Sequence, residues 1–279
     1  MLKQCSLTLI TQLLFTCVAF SQVPGEDQNR SLGGKLSGDA DLFFSDAIAF
    51  FAAPADFGSR EWSLAAATGG TIITLMVADR EFQRWVGRDT EKSLNDDFWD
   101  FPTSYGIVQY ANLFSLGTYA TGLLVDSDEL RTTGRLLFES LSLSGASVIT
   151  LRYLFGRSRP YGETRSWDFN WFEWSNKIQA FPSGHTTVAF AVSTVLAERI
   201  GGLWARIGLY GIAGLTGFAR IYNNQHWLSD VVAGGLLGFV AGLHVVQRED
   251  QRRSGSVGQS SNIELSFNSR GVGIVWWLR

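Results

Sequence analysis

The sequence predicts an all-α fold: a bundle of about six helices, embedded in a membrane, with a small hairpin-like tail. Three observations carry this. Apolar stretches recur at 42–54, 62–78, 105–126, 133–155, 186–200, 202–222 and 228–246. They are rich in Leu, Ala, Gly and Phe and lack the period-two alternation of half-buried strands. Hydrophobic residues make up 46% of the 279 and charged residues 18%, and between 152 and 230 three short charged clusters interrupt otherwise apolar sequence. A net formal charge of -3 gives no basis for a nucleic-acid partner.

Residues 1–21 read as a signal peptide. Lys3 supplies the positive start, Leu7 to Phe20 the apolar run, and Ala19-Phe20-Ser21 the small residues before a cut at Gln22. An uncleaved anchor helix is the other reading, and both send the chain out of the cytoplasm into the cell envelope. The two cysteines, Cys5 and Cys17, lie in this leader, so the mature chain is expected to carry no thiol chemistry. Residues 22–40 are Gly-, Asp- and Ser-rich, which predicts a flexible lead-in. The helical domain is expected to occupy 41–247. A charged, then Ser- and Gly-rich linker follows at 248–262. Residues 263–279 alternate around Asn268-Ser269-Arg270-Gly271, the pattern of a β-hairpin.

Spanning a bilayer takes about 20 residues, and 105–126 and 228–246 suit that length best. The first has no charge; the second has Asp230 near its start and His244 near its end. Other stretches carry Glu139, Glu198 and Arg206. Such charges face a bundle interior, or mark helices that never meet lipid, which would make the protein a soluble periplasmic bundle. The three clusters must share one side, and the leader argues for the periplasmic one. Counting crossings back from Arg159 then requires 42–54 to cross too, although it is short for that. An aromatic loop lies between the first two clusters: Tyr161, Trp167, Phe169, Trp171, Phe172, Trp174 and Phe181. It reads either as a lipid-facing rim beside the site or as a loop folded over its own small core.

The clusters carry the chemistry. Phe181-Pro182-Ser183-Gly184-His185-Thr186 precedes an apolar helical run, and Pro182 and Ser183 are helix-start signals. Free N–H groups of a first helical turn bind anions, and Gly184 lets backbone approach a phosphate closely. His185 stands beside that oxyanion; the plainer reading is an ordinary cap with an incidental histidine. Arg152 and Arg159-Pro160 can grip phosphate oxygens from two directions. Alone they would read as a basic patch with Arg157. Arg220 precedes His226 by six residues, and His226 precedes Asp230 by four, a spacing that puts imidazole and carboxylate on one helix face. A carboxylate on one ring nitrogen leaves the other free as nucleophile or base. A His–Asp pair that only satisfies a buried helix is the bland alternative, and His244, with no such neighbours, is assigned to that role.

The ordered set Arg152-x6-Arg159-Pro160, Pro182-Ser183-Gly184-His185 and Arg220-x5-His226-x3-Asp230 resembles the three-part signature of the type-2 phosphatidic acid phosphatase and vanadium haloperoxidase superfamily, in its membrane-associated lipid phosphatase branch. Two positions depart from it: the family usually has Lys where Arg152 stands and Ser where Ala219 stands. The resemblance implies a helical bundle and a metal-independent phosphatase with no cofactor. His226 would attack phosphorus and form a phosphohistidine, with Asp230 orienting it. His185 would protonate the leaving oxygen and then activate water. Arg152, Arg159 and Arg220, with Ser183 and the Gly184 N–H, would hold the equatorial oxygens. This agrees with the physical demand of phosphoryl transfer, which is positioning and charge neutralisation.

The expected substrate is a phosphate monoester or diphosphate of a lipid, such as phosphatidate, phosphatidylglycerol phosphate or a prenyl diphosphate. Two other readings use the same residues. A haloperoxidase would hold vanadate, with His226 as its axial ligand. A non-enzymatic membrane protein would bind phospholipid without turnover, and there Arg152 and Ala219 are the supporting departures.

Overall fold

Apolar helices with glycines on their contact faces decide the architecture. The computed structural model describes residues 31–89, 96–162, 165–173, 175–255, 261–268 and 271–278. Its helices are α1 (Leu32–Ala52), α2 (Ser59–Asp89), α3 (Asp96–Tyr105), α4 (Val108–Leu124), α5 (Asp128–Phe155), α6 (Gly184–Ile200), α7 (Leu203–Tyr222) and α8 (Leu228–Arg253). The fold is the predicted all-α bundle, with two more α-helices among the described residues than the six expected. Strands β1 (Ser261–Asn268) and β2 (Gly271–Leu278) pair antiparallel, Ser261 opposite Leu278 and Asn268 opposite Gly271. The predicted signal peptide, 1–21, lies outside the described residues, as does Trp174.

The bundle is built on α6 and α8. Val188, Ala191, Val192, Val195 and Leu196 of α6 form one core with Leu136, Leu137, Leu141 and Leu143 of α5 and Ala241, Val245 and Val246 of α8. Small residues set the spacing. A Cβ on Gly238 would lie 2.2 Å from the Thr187 carbonyl oxygen, and one on Gly234 would lie 2.5 Å from that of Ser183. Backbone-to-backbone contact of this kind excludes every other residue type and draws the start of α8 onto the start of α6, where two of the three sequence clusters lie.

Three boundaries differ from the sequence expectation. First, α1 begins at Leu32, inside the predicted lead-in 22–40. The Ser31 hydroxyl accepts from the Gly34 N–H and caps it. Its acidic residues are then consumed by partners: Asp39 accepts from the Tyr119 hydroxyl (2.7 Å) and faces Arg131 and Arg135, and Asp46 pairs with Arg248 and Arg252. Composition reads such residues as solvated, whereas tertiary ion pairs have ordered them. Second, α8 continues through Arg253, past the predicted domain end at 247, because Arg135, Arg252 and Arg253 engage Glu249. Third, 105–126 is broken at Gly106 and Ile107 and leaves α4 with 17 residues. Among the described residues the helices long and apolar enough to cross a membrane are Ser59–Gly87 and Leu228–Arg253.

Among the described residues the polar partners of α1 belong to the end of α4, the start of α5 and the end of α8. The Asp46 carbonyl meets His244, and the Phe50 ring lies 5.2 Å from the His244 ring. The stretch 42–54 therefore stays at this arginine-rich end and does not traverse the bundle. The clusters lie at the other end.

Candidate active site

Four chain segments meet at the end of the bundle opposite the arginine-rich one. α5 ends there because Gly156 adopts φ 51°, a left-handed cap that an L side chain resists. A Cβ on it would also strike the Asn170 carbonyl. Arg152 stands in the last turn of α5. Its Nε and one terminal nitrogen donate to the Pro182 carbonyl (3.3 and 3.2 Å). The same guanidinium lies 2.9 Å from where a Cβ on Gly184 would be, so only glycine lets it rest over the first turn of α6. Arg159 follows on the loop. It donates to Gln225 Oε1 (3.0 Å) and stands over the Tyr161 ring, 6.0 Å from its centroid. Burial holds its basicity below the ordinary arginine range.

Ser183 caps α6 and is fully buried. Its N–H donates to the Asp230 carbonyl (3.0 Å), and its hydroxyl shares a hydrogen bond with Thr186 Oγ1 (2.9 Å). The Ser183 N–H is thus already used, and the anion-binding capacity of this helix start falls to the N–H groups that follow. His185 is half-buried in that first turn, within electrostatic reach of Arg220, His226, Arg152 and Arg159. Arg220 closes α7. Among the described residues neither Arg152 nor Arg220 has a carboxylate within ion-pair distance, and Arg220 Nε has no hydrogen-bond partner. Half-buried guanidiniums without counter-ions make an anion site.

His226 is buried on the loop between α7 and α8. Its Nδ1 lies 2.8 Å from the Ala180 carbonyl oxygen. A carbonyl only accepts, so Nδ1 carries the proton and Nε2 keeps its lone pair. Burial pushes this imidazole down to about 4; Asp230 opposes the shift, and Arg159 and Arg152 add to it. The ring is therefore neutral at pH 7.

The four-residue spacing of His226 and Asp230 led to the expectation that the carboxylate orients the ring. Here the geometry differs. Asp230 Oδ2 is 3.9 Å from Nδ1 and instead accepts from the Trp227 N–H (2.9 Å), capping α8. Asp230 Oδ1 accepts from Arg157 (2.5 Å). Asp230 contributes charge beside the ring, while Ala180 sets its tautomer. Arg157, which reads in sequence as part of a basic patch, is fully buried and also reaches Asp79 of α2 (2.7 Å). Sequence spacing missed Arg157, Asp79, Ser229 and Gln225. One signal was present: Asp79 is a carboxylate directly after an apolar run, and such charges seek a buried partner.

The aromatic loop folds over a small core of its own and leaves a second set of rings exposed. Phe169 stacks on Trp171, and Phe155 meets Trp171 and Phe181, forming a small core over the end of α5. Tyr161, Trp167, Trp171 and Phe172 remain exposed, as does Tyr153. His244, 3.1 Å from the Asp46 carbonyl at the other end, takes no part in this site.

Among the described residues no group of three or more His, Cys, Asp or Glu is placed to hold a metal ion. Comparison with known proteins points to one family. Residues 134–254 match the model of the PAP2 superfamily. A lipid A 1-phosphatase of Porphyromonas gingivalis is 36% identical over 104 residues, 37% of this chain and 20% of that protein. An acid phosphatase of Zymomonas mobilis is 29% identical over 150 residues, 52% of this chain and 56% of that protein. The chain thus spans a fifth and about half of these two relatives. The crystal structure of a transmembrane PAP2 type phosphatidylglycerolphosphate phosphatase from Bacillus subtilis matches with a TM-score of 0.50 at 19% identity, covering 76% of this chain and 96% of that one. At that identity the likeness speaks for the fold.

Proposed function

We propose that this chain, whose residues 134–254 match the model of the PAP2 superfamily, hydrolyses a phosphate monoester or diphosphate of a lipid through a phosphohistidine on His226. One observation carries this reading. A buried neutral imidazole, its Nδ1–H fixed on Ala180, keeps Nε2 unprotonated beside Arg152 and Arg220, which among the described residues have no carboxylate within ion-pair distance. Nε2 attacks phosphorus in line. Arg152, Arg159 and Arg220 neutralise the equatorial oxygens, with the Gly184 N–H at the helix start; Ser183 shapes that turn. His185 gives a proton to the leaving oxygen and later takes one from the water that opens the N–P bond. Asp230 supplies negative charge beside the ring.

A lipid substrate is supported by the surface. Trp62, Ile73 and Val77 on α2, Leu113, Leu116 and Leu124 on α4, and Trp204 and Ile207 on α7 are all exposed. Apolar surface this extensive marks contact with lipid or protein. The exposed rings of Tyr153, Tyr161, Trp167 and Trp171 lie at the site end, where an interfacial aromatic belt would stand. The bundle is then membrane-embedded with its site facing the periplasm, and the expected phosphatase domain, 41–247, is extended by α1 and the end of α8. The names of the two relatives, lipid A 1-phosphatase and acid phosphatase, agree with a phosphoric ester hydrolase.

The test is phosphate release by purified protein with a chelator present, from a chromogenic monoester, phosphatidate, a prenyl diphosphate and lipid A. Release that persists with chelator, disappears in His226→Ala and is blocked by vanadate is the expected result. No release from any of the four would remove the enzymatic reading.

A further inference from the structure

Behind His226 lies a closed charge cluster of which the phosphatase reading uses Asp230 alone. Arg157 donates Nε and one terminal nitrogen to the Ser166 carbonyl (2.9 and 2.6 Å). It also reaches Ser229 Oγ (2.7 Å), Asp230 Oδ1 (2.5 Å) and Asp79 Oδ2 (2.7 Å). Asp79 in turn accepts from the Ser229 N–H (2.9 Å) and hydroxyl (2.6 Å). Asp79, Arg157, Ser229 and Asp230 are all 0% exposed, and the rings of Phe169 and Trp227 lie 5.6 and 5.8 Å from the guanidinium carbon. Asp79 belongs to α2, outside the residues matched by the family model.

The charges do not cancel. One guanidinium faces two carboxylates, leaving the cluster at -1 where no water or salt screens it. With Arg157 and Asp230 alone, the guanidinium would cancel the field that Asp230 exerts on the ring. We propose that Asp79 is a positioning residue that neutralises Arg157, so that Asp230 remains an uncancelled anion beside His226 and stabilises the cationic ring of the phosphoenzyme. This rests on His226 being the nucleophile. As the Nε2 lone pair forms the N–P bond, the P–O bond breaks and its electron pair leaves on oxygen, which takes a proton from His185; burial and the surrounding arginines hold that imidazole down to about 3 in the empty site, and the incoming phosphate offsets the arginines and lets it carry the proton. The ring keeps its Nδ1–H on Ala180 and becomes a phospho-imidazolium. Water then displaces nitrogen from phosphorus, giving its proton to His185, and the ring returns to neutral. The charged groups facing His226 are Arg152 from α5, Arg157 and Arg159 from the following loop, His185 from α6, Arg220 from α7 and Asp230 from α8, with Asp79 of α2 behind Arg157. Three of these cations ring the phosphate side, so the positive ring has Asp230 as its counter-charge.

The test uses the full chain in detergent, with Asp79→Asn, Asp79→Glu and the double variant Asp79→Asn/Arg157→Met. The chain has three histidines, so ring resonances of labelled histidine resolve His226. Asp79→Asn should move the His226 titration to lower pH by about half a unit or more, lower kcat about tenfold and leave KM within about threefold. Asp79→Glu should restore both. The double variant, again -1 through Asp230, should titrate like the parent and regain kcat over Asp79→Asn, a reversal that lost packing cannot give. An unmoved His226 titration in folded Asp79→Asn would overturn the proposal. So would a kcat that, per vanadate-titrated site, equals the parent's. If Asp79→Asn does not fold, the folded double variant decides: a His226 titration different from the parent's overturns the proposal. The resonance shift needs no turnover, so a parent that releases no phosphate sinks the phosphatase reading while the coupling is still measured.

Discussion

At the scale of the residue, a backbone carbonyl chooses which ring nitrogen is free to react. Because Ala180 holds the His226 Nδ1–H, the nucleophile of the proposed reaction is the neutral ring, which burial keeps neutral down to about pH 4. The acid limb of kcat/KM should therefore fall near pH 4, about two units below a free imidazole. A limb near pH 6.5 assigned to His226 by its resonance would contradict this. The same shift affects stability. The folded ring binds its proton near pH 4 and the unfolded ring near about 6.5. The unfolded chain therefore takes up more protons between these values, and stability from this group declines as pH falls through that window. Arg220→Gln removes a donor without a counter-ion of its own and should lower kcat by about 10²–10³-fold, with the fold unchanged by circular dichroism. His226, His185 and the three arginines were legible as candidates because each stands near a helix boundary, marked for Arg152, Arg159 and His185 by Gly156, Pro160 and Pro182-Ser183-Gly184. It misdirected the role of Asp230. A four-residue spacing promises one helix face, yet His226 lies before α8 begins, so Asp230 turns back to cap the Trp227 N–H. Ala219 is fully buried in α7, and nothing described around it calls for a hydroxyl.

At the scale of the element, the site is assembled by how closely α8 approaches α6. Gly238→Ala places a methyl group 2.2 Å from the Thr187 carbonyl oxygen, which only a backbone shift relieves. The cost should be about 1–3 kcal/mol or more, read as a lower unfolding temperature in detergent. Because the same contact seats Ser183 on α8, kcat should fall even in the folded fraction; a variant as stable and active as the parent would show that the helices can separate freely. Helix type and number on this side were readable from apolar length without alternation. The ends were not. α1 and the last turn of α8 are held by ion pairs between residues as far apart as Asp46 and Arg252, and no local composition encodes partners at that distance. Likewise Asp79 and Arg157 find each other from elements 78 positions apart.

At the scale of the whole molecule, the two ends differ in how their arginines are paired. Arg131, Arg135, Arg199, Arg206, Arg248, Arg252 and Arg253 gather where α5 and α7 begin and α6 and α8 finish. Many are paired: Arg135 with Glu139 and Glu249, Arg199 and Arg253 with Glu129, Arg252 with Asp46. Membrane orientation responds to the number of arginines and lysines, and that number does not separate the ends, because the site end holds Arg80, Arg84, Arg152, Arg157, Arg159, Arg165, Lys177 and Arg220. The proposed orientation, with His226 and the exposed tryptophans on the periplasmic side, therefore needs a direct test. A thiol survey tests this in a background where Cys5 and Cys17 are replaced by Ser. Asn223→Cys is exposed at the site end and Ser254→Cys follows α8 at the other. A membrane-impermeant maleimide applied to intact spheroplasts should label Asn223→Cys and reach Ser254→Cys only after lysis. The reverse pattern would place the phosphatase chemistry on the cytoplasmic leaflet. Labelling of both before lysis would mean that the bundle does not span the membrane, and the exposed apolar faces of α2 and α4 would then need a protein partner to cover them.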